Sequence, residues 1–159
     1  MLKKLIRNEK GLTLIELLAV IVILGIIAAI AIPSIGGLID NSKKDAHVAN
    51  AQQMINAAKI AVTADKSLIP SSGQSKDITL EKLENDGYLE TMKDPDNGTY
   101  NKEGSFVKIT NNNNNKLSYS VKLINDKRGV QNSSTGDPVA EGDLARSKVV
   151  NNPAKSTKP

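Results

Sequence analysis

Apolar side chains run without a polar interruption from residue 17 to residue 32. Counted from residue 12, the stretch would be about 31 Å long as a helix at 1.5 Å per residue, matching the ~30 Å hydrocarbon core of a bilayer. Beyond Pro33 the pattern changes. Val48, Ala51, Ile55, Ala58 and Val62 recur at alternating steps of three and four, which draws one apolar face on a helix. Asp40, Lys43, Lys44, Asp45, Asn56 and Lys59 supply much of the polar remainder. One helix of about 50 residues is expected, its first half apolar all round and its second half amphipathic. Gly36-Gly37 is placed as a flexible joint between the halves, and His47, in the polar-rich part, is expected at the surface with no metal role.

The pattern then becomes shorter in range. Residues 66–78 read as a loop centred on Pro70-Ser71-Ser72-Gly73. The string TLEKLENDGYL reads as a short helix, capped by Thr79 or Asp77, with Leu80 and Leu83 inward and Gly87 at its exit. The string KDPDNGTYNKEG is turn-rich. Two strands are predicted at 105–110 and 116–124, joined by an Asn-rich loop tolerant of positive φ. In the second, Leu117, Tyr119, Val121 and Leu123 alternate with Ser118, Ser120 and Lys122. From residue 125 the chain is polar and broken, and a flexible tail is expected there, with local packing at most over 140–150. The parts are therefore 1–11, a charged leader; 12–33, the apolar helix half; 34–65, the amphipathic half; 66–124, a small domain with a short helix and a β-hairpin; and 125–159, the tail. The class is α+β, a long N-terminal helix packed on a small antiparallel sheet.

Composition narrows the chemistry. The 159 residues include no Cys and one His, so disulfides, thiol nucleophiles and multi-His metal sites are excluded. No phosphate-binding Gly loop and no nucleophile with a plausible base is present, and no catalytic residues or cofactor are assigned. Net charge is +4, but Lys3, Lys4, Arg7 and Lys10 against Glu9 put +3 of it in residues 1–11. What remains is +1, a poor basis for direct nucleic-acid binding. Those leading cations place the N-terminus in the cytoplasm by the positive-inside rule, and everything after Pro33 outside.

Three readings of the first 33 residues compete on physical grounds. One is a secretory signal peptide with Ala29-Ile30-Ala31 as its cleavage site. A second is an uncleaved anchor. The third is a leader cut before the apolar helix. Glu16 separates them, because a carboxylate in a membrane helix costs about 2.5–3.5 kcal/mol at the centre and less near an end. Neither a signal peptide nor a plain anchor gains anything from it, although snorkelling near the helix end would make it tolerable.

The string GLTLIELL, with Gly11 before the apolar helix and Glu16 fifth after it, resembles the class III leader of type IV pilins and their pseudopilin relatives. Gly25 falls where that family has a helix-loosening Gly, Pro33 falls where it has a Pro, and IIAAIAIP resembles its usual ending. The likeness covers residues 7–33. Leu12 departs slightly, standing where the family more often has Phe.

The resemblance implies a processing scheme. A prepilin peptidase would cut between Gly11 and Leu12 and methylate the new amine of Leu12. That amine has a reference pKa of about 7.7–8, so it is mostly cationic at neutral pH, and burying it unpaired is costly. The resemblance has Glu16 of a neighbouring subunit offset it and set axial register during assembly. Gly25 and Pro33 bracket a segment able to loosen as helices pack. The implied fold is type IV pilin-like. The implied partners are further copies and other pilins, the prepilin peptidase, a membrane assembly platform protein, an assembly ATPase, and the lipid bilayer before assembly. Location would be the cell membrane, single-pass, then the cell surface in a pilus. Competence, type II secretion, adhesion and motility stay open as uses, with a stand-alone membrane-anchored surface protein as the reading outside the class. Secretion pseudopilins of the major type often carry calcium in a C-terminal loop. Asp94 and Asp96, with Asn97 and Glu103, offer oxygen ligands here, but Gly98 occupies the third ligand position of an EF-hand register, so a simple turn is the favoured reading.

Overall fold

The computed structural model describes residues 9–113 and 116–153. It divides into two units, Met1–Asp40 and Asn41–Pro159. One helix, α1 (Glu9–Ala64), contributes to both.

In the first unit, described side chains of α1 are nearly all exposed. Leu14, Ile15, Leu17, Leu18, Ile21, Leu24 and Ile27 are each more than half exposed. A window of mean hydropathy 3.0 makes this helix long and apolar enough to cross a membrane. The exposed apolar character does not stop at residue 33 but continues through Ile35, Leu38 and Ile39. Nor does the helix break. Pro33 lies inside it, and the expected joint at Gly36-Gly37 is regular helix. Each helical residue adds a hydrogen bond once the helix is nucleated, so isolated helix-weakening residues within 56 positions do not interrupt it.

In the second unit α1 turns one face inward. Ala51, Met54, Ile55, Ala58, Ala61 and Val62 are buried, following the predicted stripe, with Ala57 beside them. They share one core cluster with Ile78, Leu80, Leu83, Val107, Ile109, Val121, Leu123, Val130, Val139 and Val149. With so few aromatics, the core is aliphatic, and the four alanines on the helix face give it a shallow profile against the sheet.

The sheet is antiparallel. β1 (Ser75–Thr79), β2 (Phe106–Asn111), β3 (Leu117–Ile124), β4 (Arg128–Val130) and β6 (Val149–Asn151) follow one another, and β5 (Val139–Ala140) pairs with β3 as well. Both predicted strands form, in register Val107 with Val121 and Ile109 with Tyr119. Asn111, expected in the loop, is a buried strand residue whose Nδ2 donates to Pro70 O at 2.9 Å. The short helix α2 (Leu80–Asn85) starts at Thr79, whose Oγ1 accepts from Lys82 N; Asp77 does not cap it. Gly87, at φ 77°, ends the turn. This long N-terminal helix on a small antiparallel sheet is the α+β, type IV pilin-like arrangement expected.

Two expectations fail. Residues 75–78, read as loop, form β1 together with Thr79. SKDIT has one buried apolar residue, Ile78, too few for a visible period. The C-terminal segment is no flexible tail through its described part. It supplies β4, β5 and β6, and Val130, Val139 and Val149 enter the core. Each strand is only two or three residues long, so no alternation could show in the sequence. Gly129 makes the β3–β4 turn possible: a Cβ there would lie 2.0 Å from Leu123 O.

Candidate functional site

The second unit buries a polar cluster built from three separated stretches. From α1 come Lys43, His47 and Asn50; from the turn at 93–100 come Asp94, Asp96 and Tyr100; from the β3–β4 connection come Asn125 and Arg128. His47, expected at the surface, is fully buried. Its position on α1, four residues before Ala51 and seven before Met54, puts it on the core-facing stripe. Lys43 and Asn50, one turn to either side, share that face and join the cluster, which is why the local polar composition reads as surface.

Geometry fixes the ring. His47 Nε2 lies 2.9 Å from Asp96 Oδ2, and Nδ1 lies 2.9 Å from the Tyr100 hydroxyl oxygen. A neutral ring with its proton on Nε2 donates to Asp96 and accepts from Tyr100 O–H. Tyr100 Oη in turn accepts from Asn50 Nδ2 at 3.0 Å. Burial pushes the Tyr100 hydroxyl far above its ordinary pKa, so it stays a proton donor.

Asp96 is the hub. Arg128 Nε donates to Oδ2 and its terminal nitrogen to Oδ1, both at 2.7 Å, a bidentate pair. Asn125 Nδ2 adds a bond at 3.2 Å, and Lys43 Nζ stands 3.8 Å away. The Arg128 guanidinium, opposed by desolvation and helped by His47 and Asn125, holds the Asp96 carboxyl well below the usual range. Asp94 is buried too. Its oxygens accept from Asn125 Nδ2 and from the Asp96 backbone N–H. Gly98 lies so close that a Cβ would sit 2.8 Å from Asp94 Oδ2.

His47, Asp94 and Asp96 bring one potential metal-ligand atom each to within 4.8 Å of one another. A hard dication does not fit this group. Calcium takes six to eight oxygens, but both oxygens of Asp96 are spanned by a guanidinium, Lys43 adds a second cation, and Glu103 is exposed. The candidates Asp94 and Asp96 thus serve a turn pinned by an internal cation. The ring, carboxylates and guanidinium satisfy one another, and their work is to tie the turn and the β3–β4 connection to α1.

The residues singled out for processing and assembly lie in the other unit. Gly11 and Leu12 fall within α1. Glu16 is exposed, and no hydrogen bond or ion pair joins it to another described residue. A Cβ at Gly25 would meet nothing within 4 Å, so no packing inside the chain explains that glycine. Pro33 is exposed within the helix. Among the described residues nothing covers Glu16, Gly25 or Pro33, and a carboxylate without a described partner on an apolar, exposed helix has one to find elsewhere.

Comparison with known proteins agrees at this end of the chain. A family model described as the prokaryotic N-terminal methylation motif matches residues 6–32. That motif supports a type IV pilin-like prepilin and accords with a membrane-anchored, structural rather than enzymatic, chain. Neither a curated protein nor a solved structure matches the chain.

Proposed function

We propose that the chain is a structural prepilin or pseudopilin that is cut between Gly11 and Leu12, methylated on the Leu12 amine, and polymerised into a type IV pilus-like filament. The observation that carries this reading is Glu16: a carboxylate without a partner among the described residues, on an exposed apolar helix, five residues after Gly11 and inside the matched methylation motif. An α-amino cation created at Leu12 of a neighbouring subunit is the complement it lacks. Before assembly the helix lies in the bilayer, with the N-terminus cytoplasmic and the second unit outside. Afterwards the same apolar surface packs at the filament centre.

Among uses, competence in a Gram-positive envelope or a type II secretion-like system is favoured. The chain has no Cys, and so lacks the disulfide loop of many long-pilus subunits. With a charge of about +1 after cleavage, DNA contact would fall to another subunit or the filament tip. The assembly ATPase, platform protein and prepilin peptidase follow as partners.

Two measurements test the proposal. Mass spectrometry of the mature protein should find an N-terminus at methylated Leu12; an intact Met1, or a start at Ile32, would point to an anchor or signal peptide instead. Glu16→Ala should leave cleavage intact and abolish filaments. Normal filaments from that variant would refute the pairing.

A further inference from the structure

On the second unit an open cleft of about 610 Å³ is lined by Asn101, Lys122, Asp126, Lys127, Gln131 and Asn152, among others. No residue of α1 lines it, and it takes no part in the assembly scheme above. Its size is that of a small-molecule site.

Gln131 gives the cleft its chemistry. The residue is 1% exposed, and its Nε2 donates to Asn152 Oδ1 at 2.9 Å, but its Oε1 has no hydrogen-bond partner among the described residues. Buried side-chain oxygens are rarely left so. Beside it stands the half-buried Lys122: the point that a Cβ on Gly136 would occupy is 3.4 Å from Gln131 Oε1 and 3.6 Å from Lys122 Nζ. Pro153 Cγ lies 3.4 Å from the same point, which brings the Lys122 ammonium and the Gln131 oxygen to one wall of the cleft. No hydrogen bond or ion pair with described residues engages Lys122 Nζ or Lys127 Nζ.

One kind of group satisfies both neighbours at once. A hydroxyl accepts from the Lys122 ammonium and donates to the Gln131 oxygen. A bare carboxylate or sulfate offers acceptors only and would set lone pairs against that oxygen. Asn101 and Asn152 add side-chain amides, which pair with hydroxyls in either sense. Two lysines against Asp126 leave the lining with a surplus positive charge, so the ligand carries hydroxyls and a negative group together. No aromatic ring lines the cleft, which removes the stacking platform that single-stranded nucleic acid uses.

We infer that this cleft binds an acidic sugar, a polyhydroxylated ring bearing a carboxylate or phosphate, such as an envelope polysaccharide would present. The Lys122–Gln131 pair reads a hydroxyl, and Lys127 faces the charged group. Without ring stacking, affinity for one sugar unit is in the millimolar range, which repetition along a filament would raise through avidity.

The test uses the full isotope-labelled chain in detergent micelles, titrated in turn with glucuronate, glucose and inorganic sulfate. Backbone and side-chain amide signals are followed by NMR. Glucuronate should shift the side-chain amides of Gln131, Asn101 and Asn152 along a saturable curve. Glucose should do so about tenfold more weakly, the cost of about 1.4 kcal/mol in lost charge contact. Sulfate, with no donor, should leave Gln131 unmoved. Lys122→Gln, at a position whose side chain has no hydrogen bond or ion pair with described residues, should weaken glucuronate about fivefold with the core spectrum unchanged, whereas Gln131→Met should abolish it. Three results would overturn the inference: no saturable shift with glucuronate, which would leave only water bridging Lys122 and Gln131; equal response to sulfate and glucuronate, which would reduce the cleft to an anion site; or full binding by Lys122→Gln.

Discussion

Replacing Arg128 with glutamine removes the cation at the centre of the buried cluster while keeping a polar side chain of moderate length. Two charge-assisted bonds of 2.7 Å to Asp96 are lost. Both partners are largely buried, with side chains 14% and 12% exposed, so solvent replaces little of what is removed. Breaking a buried pair from one side costs about 3–5 kcal/mol. Asp96 keeps its bonds from His47 and Asn125, which places the expected loss near the lower end, about 3 kcal/mol. For a unit of this size that lowers Tm by about 12 °C. Thermal unfolding of the full chain in micelles, followed by near-UV circular dichroism of Tyr88, Tyr100 and Tyr119, measures it. The variant should also respond differently to acid. The Asp96 carboxyl is depressed when folded, so its contribution is complete above the unfolded carboxylate range, near pH 4, and is lost as pH falls from there toward the lower folded value. Arg128→Gln lets the folded value rise back toward the unfolded one and flattens that acid loss. A Tm change of a degree or two at neutral pH, or acid curves for the two proteins that run parallel below about pH 4, would refute the assignment of Arg128 as the internal cation.

Other expectations test neighbouring parts of the fold. Gly129→Ala should destabilise by at least about 2 kcal/mol in chemical denaturation, because its Cβ would meet backbone at 2.0 Å; an unchanged midpoint would mean that the β3–β4 turn relaxes freely. Met54→Ala, at a fully buried position of α1, should cost about 2–5 kcal/mol with the same readout, and less only if the sheet collapses onto the helix. Millimolar calcium should leave Tm unchanged in the wild-type chain, since any ligand of the folded state would raise it by mass action, and a concentration-dependent rise would restore Asp94 and Asp96 as calcium ligands.

What proved legible in the sequence was whatever repeats at short range. The apolar run of residues 17–32 needs no tertiary partner to be read, because bilayer thickness and helix rise alone give it meaning. The 3.6-residue stripe from Val48 to Val62 and the alternation in β3 are also local periodicities, and the structure turns the same side chains to the core, with Val48, Leu117 and Tyr119 only partly buried. Thr79 and Gly87 mark α2 through backbone chemistry confined to one turn. The tertiary structure alone decided the rest. His47 looks like a surface residue until the face of α1 it shares with Ala51 and Met54 is covered. Asp96 and Arg128 are 32 residues apart, and no spacing rule links them; each becomes intelligible only when the turn and the β3–β4 connection meet the helix. Strands of two or three residues, such as β4, β5 and β6, have no period to display, and their place depends on a neighbour to pair with, β3 for β4 and β5 and β4 for β6. The cleft at Gln131 depends on the same event. Local hydrogen bonding and hydrophobic period are written in neighbouring residues, whereas the pairing of buried charges and the shape of a cavity are properties of which distant segments come to share one volume.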